Sequence, residues 1–345
     1  VKLSEAALTS WTRRLLEAAG VAPSSAATVA EVLVEANLRG VDSHGVLRLP
    51  VYLRRIRAGL VNPVPQPRVA KQDGPVALVD GDRGPGPVAG VFAATVAAET
   101  AASRGVGVVG VFRSSHFGMA ASYAMRIVRQ GLVAMVTSNA EPDVVPYGGA
   151  RKAMGTNPLA FAAPAPRGPL VLDMATSHVA MGKVFLARER GERIPEGWAV
   201  DAEGRSVTDP GRAIAAVPLG GAKGYGLALM VEILSGVLTG AGVTHGIGRM
   251  YDEWDRPQDV GHSFLALDPE YTIGRDAFLR RMGALWDELK AVPPAAGFDE
   301  VCLPGEIEMR THAVRRREGI PLAGRVFEEL VALSSELDVE VPPGS

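Results

Sequence analysis

His44 lies within Gly40-Val-Asp-Ser-His-Gly-Val-Leu-Arg48, and His116 within Ser114-Ser-His-Phe-Gly-Met119. Imidazole is the side chain whose ordinary pKa, about 6.5, lets small changes of surroundings decide whether it gives or takes a proton near neutral pH. Both histidines fall in breaks between expected elements, where a side chain can face a cleft, so both are candidates for acid/base catalysis. Each also has a plainer reading, as a helix cap or packing residue. Arg48 supplies a planar fork of donors suited to a carboxylate, and Ser43 one further hydrogen bond. His178, His245, His262 and His312 show no metal-ligand spacing and read as structural or surface residues, so no metal is expected.

The elements that must position these groups follow from periodicity and punctuation. Residues 5–19, 25–39 and 47–58 read as helices, which puts Asp42, Ser43 and His44 in a loop and Arg48 one turn into the third helix. The proline-rich stretch 62–67 is extended and a candidate hinge. Strands are expected at 76–79, 106–112, 132–137, 158–162, 170–173 and 263–267. Helices are expected at 87–103, 119–130, 179–190, 226–239, 275–289, 306–317 and 324–333. This is an α/β chain. Its 345 residues, 47% of them apolar, suffice for a sizeable core. A net charge of -2 leaves no basic excess for nucleic acid. The one cysteine, Cys302, excludes an internal disulfide and fits a cytoplasmic protein. Residues 1–20 read as an amphipathic helix, unlike a signal peptide, and the apolar stretch 226–243 carries Glu232 and reads as a buried helix, so no membrane partner is expected.

Gly105-Val-Gly-Val-Val-Gly110 spells the dinucleotide fingerprint G-x-G-x-x-G, but a helix precedes it and a strand follows, the reverse of what phosphate binding needs. The stretch 84–90 enters a helix, yet its prolines remove amide donors. Gly220-Gly-Ala-Lys-Gly-Tyr-Gly226 is the better anion site, combining free helix N-terminal amides with Lys223; a glycine-rich packing turn is the alternative.

In order along the chain, Leu38-Arg-Gly-Val-Asp-Ser-His-Gly-Val-Leu-Arg48, Ser115-His-Phe-Gly118, Gly155-Thr-Asn-Pro-Leu-Ala160, Leu172-Asp-Met-Ala-Thr-Ser177, Gly221-Ala-Lys-Gly-Tyr-Gly226 and Pro304-Gly-Glu306 resemble the type-2 malate/L-lactate dehydrogenase family. The resemblance implies a non-Rossmann fold with a mixed, mostly antiparallel central sheet and a helical N- and C-terminal part. Residues 1–68 and 300–345 would form the helical substrate and dimerisation part, and 69–299 the cofactor-binding part of a homodimer. It implies an oxidoreductase moving hydride between a nicotinamide cofactor (NAD, with NADP the alternative) and a small 2-hydroxy or 2-oxo acid such as malate or lactate. Family members also act on sulfolactate, ureidoglycolate, a diketogulonate or cyclic imine carboxylates.

Carried over, His116 and His44 each match a proton-transferring residue of some member; we take His116 as the acid/base and His44 as an assisting group. Ser43, Arg48, Thr156 and Asn157 would bind substrate. Ser138, Asn139, Asp173, Met174, Ala175, Thr176, Lys223, Gly224, Pro304, Gly305 and Glu306 would contact the cofactor. Glu192 is a candidate for a ribose hydroxyl, and Lys183, Arg188 and Arg190 for a 2′-phosphate. Glu141, Asp143 and Asp259 depart from the family pattern, and an extra carboxylate near the site would repel an anionic substrate or raise a histidine pKa. Two other classes stay open. A Ser-His hydrolase would use Ser43 or Ser115, although each serine adjoins its histidine and no G-x-S-x-G elbow is present. A non-catalytic nucleotide-binding protein is the other.

Overall fold

The structure, a computed structural model, describes residues 1–343. A short strand β1 (Lys2–Leu3) precedes helices α1 (Glu5–Ala18) and α2 (Pro23–Leu38). Ser4 caps α1 by accepting from the Ala7 amide at 3.2 Å. Pro23 opens α2 where its missing N–H costs nothing. Two 3-10 turns, Asp42–His44 and Val46–Arg48, then lead into α3 (Leu49–Arg57). The helix expected from residue 47 is therefore corrected. It starts at Leu49, with Pro50 in its first turn, and Arg48 closes the tight turn before it.

The chain continues through β2 (Arg68–Asp73), β3 (Val76–Asp80), α4 (Gly86–Arg104), β4 (Val106–Ser114), α5 (Ala121–Val128), β5 (Val133–Ser138), β6 (Leu159–Ala163) and β7 (Leu170–Met174). Next come α6 (Met181–Arg190), the short strands β8 (Ala199–Val200), β9 (Ser206–Val207) and β10 (Ala215–Ala216), and α7 (Ala222–Glu232), which passes into a π turn at Ile233–Val237. The last elements are β11 (Val260–Leu267), α8 (Arg275–Lys290), α9 (Glu306–Glu318), β12 (Ile320–Pro321) and α10 (Gly324–Leu337).

Seven strands form one mixed sheet in the order β2-β3-β4-β11-β5-β6-β7. Only β3 and β4 run parallel; every other neighbour is antiparallel. This is the mostly antiparallel sheet that the resemblance implied. Alternation along β4 sends Val109 and Val111 into the alanine-rich core beneath α4. The glycines of the false fingerprint serve that packing. Gly105 ends α4 in the left-handed conformation at φ 83°. A Cβ on Gly107 would lie 2.1 Å from the Ala97 carbonyl of α4, and one on Gly110 would meet Thr239 on the opposite face.

A second core joins α1, α2 and α3 to residues of α10 and β12, with Trp11 donating to Ser334 at 2.7 Å. A third gathers α6 and the short strands. The 62–67 stretch is extended but pinned: Asn62 and the Gln66 amide both donate to the Asp82 carboxylate, at 3.0 and 3.1 Å. Among the described residues, no helix is long and apolar enough to cross a membrane.

Candidate active site

The Ser43-His44 turn is held from behind. Asn37, buried at the end of α2, donates to Asp42 at 2.7 Å and accepts from the Val46 amide at 2.9 Å. Arg315 of α9 grips the Asp42 carboxylate at both oxygens, at 2.7 and 3.0 Å. A Cβ on Gly45 would sit 2.2 Å from Asn37, so only glycine lets the turn close on that amide. The turn presents Ser43 Oγ 2.9 Å from His44 Nδ1, and Arg48 Nε donates to the Ser43 carbonyl at 2.7 Å.

His116 arrives from the other side, on the loop between β4 and α5. Gly86, the first residue of α4, presses against that loop: a Cβ there would lie 2.2 Å from the Ser115 carbonyl and 2.5 Å from that of His116. The two imidazoles stack with ring centres 5.7 Å apart and planes 21° from parallel. Tyr52 of α3 places its hydroxyl 2.6 Å from His116 Nδ1 and 3.2 Å from the His116 carbonyl. The Gly118 amide also donates to Nδ1 at 3.3 Å, and Gln258 accepts from the His116 amide at 3.2 Å. Tyr52 and Gln258 were not singled out in the sequence, although Tyr52 follows Arg48 by four residues, the spacing that shares a helix face.

Electrostatics keep both rings neutral. Burial, then the Arg48 charge, lowers His44 to about 4. His116 is held well below its ordinary value by burial, then by Arg48, His44 and His262. Burial raises the Tyr52 phenol, so it stays protonated. No carboxylate raises either histidine. Glu141 turns its carboxylate to the Met250 amide at 2.6 Å, Asp143 pairs with Lys152 at 2.8 Å, and neither is among the groups that act on His116.

Behind the loop, His262 is fully buried between Ser138 Oγ and Ser114 Oγ, each at 2.9 Å, and stacks on Phe117 with ring centres 4.3 Å apart. Burial lowers it to about 3. It is a core residue, one of the two readings the sequence offered.

The other expected residues gather around β7. Asp173 accepts from the Ala121 amide at 2.8 Å, capping α5, which begins five residues after His116. Its carboxyl is raised by burial to about 6, against the opposing pull of that amide and of Arg39. Met174 and Ala175 follow, half-buried. Thr176 donates to the Thr156 and Asn157 carbonyls at 3.1 and 3.2 Å, and its carbonyl accepts from Leu219 at 2.9 Å. That links the strand end to the Gly220–Gly224 turn and to exposed Lys223 at the start of α7. The Pro304 carbonyl accepts from Val171 of β7 at 3.0 Å, and Gly305 packs on that residue. Glu306 pairs with Lys290 at 3.1 Å.

Three of the expected side chains are used within the fold. Asn157 donates to the Ala228 carbonyl and the Glu232 carboxylate at 2.9 and 2.8 Å and accepts from Ala140 at 3.1 Å. Asn139 bonds Gly242 and Gly261 at 2.7 and 2.9 Å, and Ser138 bonds His262. Glu192, Lys183, Arg188 and Arg190 lie exposed on or just after α6. The structure thus brings Ser43, His44, Arg48 and His116 into one cluster and the β7 residues into a second, joined through Asp173 and α5.

A family model described as malate/L-lactate dehydrogenase matches residues 3–331. The chain belongs to the malate/L-lactate dehydrogenase family. Its relatives within the family are similar over nearly their full length. L-sulfolactate dehydrogenase of Methanocaldococcus jannaschii is 37% identical over 95% of this chain and 94% of its own. A ureidoglycolate dehydrogenase (NAD(+)) of Escherichia coli O157:H7 is 38% identical over 96% and 95%. A (2R)-3-sulfolactate dehydrogenase (NADP(+)) of Chromohalobacter salexigens is 42% identical over 92% and 93%. The solved structure of sulfolactate dehydrogenase from M. jannaschii superposes with a TM-score of 0.93 at 36% identity, covering 99% of this chain and 98% of that one. As a member of this dehydrogenase family, the chain is an oxidoreductase.

Proposed function

We propose that this dehydrogenase moves hydride between NAD and a small 2-hydroxy/2-oxo acid of the malate or sulfolactate kind, with His116 as acid/base, His44 as its assistant and Arg48 on the substrate carboxylate. The observation that carries this reading is the neutral His116 ring, hydrogen-bonded at Nδ1 by Tyr52 and stacked on His44 in the field of Arg48.

The residues at the β7 end fit a dinucleotide. Lys223 and the first amides of α7 suit a pyrophosphate. Ser177, buried just past the strand, has a hydroxyl without a hydrogen-bond partner among the described residues. The nicotinamide, when bound, supplies the hydride acceptor or donor. The chain's part is to hold the substrate and handle one proton at His116 Nε2. For oxidation that nitrogen must carry a lone pair, which requires the tautomer with Nδ1 protonated. Tyr52 accommodates it once the Gly118 amide gives up its long 3.3 Å bond to Nδ1: the Tyr52 oxygen then accepts from Nδ1 while its hydroxyl donates to the His116 carbonyl. For reduction the protonated ring returns the proton from Nε2. A substrate carboxylate on Arg48 cancels part of the positive charge that depresses His116, so substrate binding itself makes the imidazole a stronger base.

NAD is the cofactor we favour, with NADP as the alternative. We further propose a cytoplasmic homodimer in which residues 1–68 and 300–345 form the substrate and dimerisation part and 69–299 the cofactor part. A panel of malate, lactate, sulfolactate, ureidoglycolate and a cyclic imine carboxylate, followed at the nicotinamide absorbance with both cofactors, tests the activity. Turnover of a hydroxy acid is expected. Turnover confined to the imine would replace the hydroxy-acid reading with the imine one, and cofactor binding without any hydride transfer would overturn catalysis. Light scattering should give twice the chain mass, and the single-chain mass would refute the dimer.

A further inference from the structure

Arg48 does not stand alone beside the two histidines. Its Nη1 donates to the hydroxyl of Tyr251, and its guanidinium lies 5.7 Å from the centre of that ring. Tyr251 comes from a segment 203 residues away in sequence and is about half exposed. The segment is a fixed platform. Arg55 of α3, almost fully buried, donates from Nη1 to the carbonyls of Arg249, Met250 and Glu253 and from Nη2 to that of Arg256, all within 3.2 Å. The Met250 amide is tied to Glu141, and Trp254 lies under the Arg54 guanidinium at 3.8 Å. A loop gripped on both sides of one residue holds that residue's ring in place.

The donors left at Arg48 define what can bind. Nε is committed to the Ser43 carbonyl and one Nη1 proton to Tyr251, so the side-on fork is closed, and Nη2 has no partner among the described residues. The Tyr251 oxygen accepts from Arg48, which leaves its own proton free to donate. Resting on the function proposed above, we propose that Tyr251 is a specificity-determining residue whose hydroxyl, together with Arg48 Nη2, receives the two oxygens of the substrate carboxylate. The pair presents one charged and one neutral donor side by side, which favours a carboxylate over the corresponding amide or ester, since these offer one good acceptor and no charge.

Tyr251→Phe keeps the ring on its platform and removes only the hydroxyl; Tyr251→Ala removes both. Binding of oxalate to the protein is measured by calorimetry, and KM and kcat with whichever acid the panel identifies. For Tyr251→Phe, oxalate affinity should fall and KM should rise roughly ten-fold, the size of one hydrogen bond to a charged group, with kcat changed less than about two-fold and NAD affinity unchanged. Combined with Arg48→Lys, the losses should be less than multiplicative, because both groups serve one carboxylate. Unchanged oxalate affinity in Tyr251→Phe overturns the proposal, and an effect seen only in Tyr251→Ala reduces the residue to a cover. Absence of turnover by the wild type would sink the function proposed above while the oxalate titration still decides on Tyr251. Failure of the wild type to bind oxalate overturns the receptor itself.

Discussion

At the scale of single residues, the site rests on a neutral imidazole whose second nitrogen is already engaged. His116→Gln should lower kcat by about a hundred-fold or more, the usual size of general acid/base catalysis, and leave NAD binding nearly intact; near wild-type turnover would remove His116 from the mechanism. Arg48→Lys should mainly raise KM, since a lysine cannot hold Ser43, Tyr251 and a carboxylate together. An unchanged KM would assign the carboxylate elsewhere. Oxidation requires the unprotonated ring, and burial and Arg48 hold His116 well below its ordinary value in the free enzyme. The acid limb of kcat/KM, which reports free enzyme, should therefore lie at lower pH than that of kcat, where the carboxylate has neutralised Arg48. Coincident limbs in the two profiles would contradict this coupling. His44 and His116 were legible in the sequence because chemistry-bearing types stood at element breaks, and Arg48 because it follows His44 by one turn. Tyr52 was accessible to the four-residue helical spacing but was passed over, and Tyr251 was not legible, because nothing local announces a contact across 203 residues.

At the scale of elements, two glycines of α4 and β4 make predictions that agree on stability and differ on activity. Gly107→Ala would drive a Cβ to 2.1 Å from the Ala97 carbonyl, and Gly86→Ala would do the same at 2.2 Å from the Ser115 carbonyl. Both should cost stability, typically about 1–3 kcal/mol for overpacking, in thermal or urea melts. Only Gly86→Ala should also depress kcat in the folded fraction, because the displaced loop carries His116; equal residual activities would dissociate α4 from the site. The longer strands and helices were legible from periodicity, to within a few residues at their ends. The edge strand β2 was missed because all six of its residues are exposed, so it carries no buried alternation. The π turn was missed because one inserted residue leaves composition unchanged. Arg48's position was misjudged because hydrophobic spacing does not separate a 3-10 turn from the first turn of an α-helix.

At the scale of the whole molecule, burying neutral histidines fixes how stability responds to acid. Unfolded, His262 takes a proton near 6.5, whereas folded it resists until about 3. The unfolded chain then binds more protons, so this contribution is whole above about pH 6.5 and is lost as pH falls toward 3. His44, held at about 4, and His116 act in the same sense. Asp173 opposes them: raised from 3.8 to about 6, it contributes in acid and loses that contribution as pH rises through 6. Three histidines against Asp173 and Glu141, the two carboxyls that burial raises, predict a Tm that falls between about pH 7 and pH 4. Scanning calorimetry should show the slope lessened in His262→Asn, and an equal slope would place the acid sensitivity elsewhere.

The Arg55 grip has a consequence for how such a molecule can be altered. Its hydrogen bonds into the segment it anchors go to four main-chain oxygens, and its guanidinium meets the Trp254 ring but not Tyr251. The scaffold is therefore indifferent to which residue is displayed at position 251, and exchanging that one side chain offers a route to a new preference among acids without rebuilding the enzyme around it.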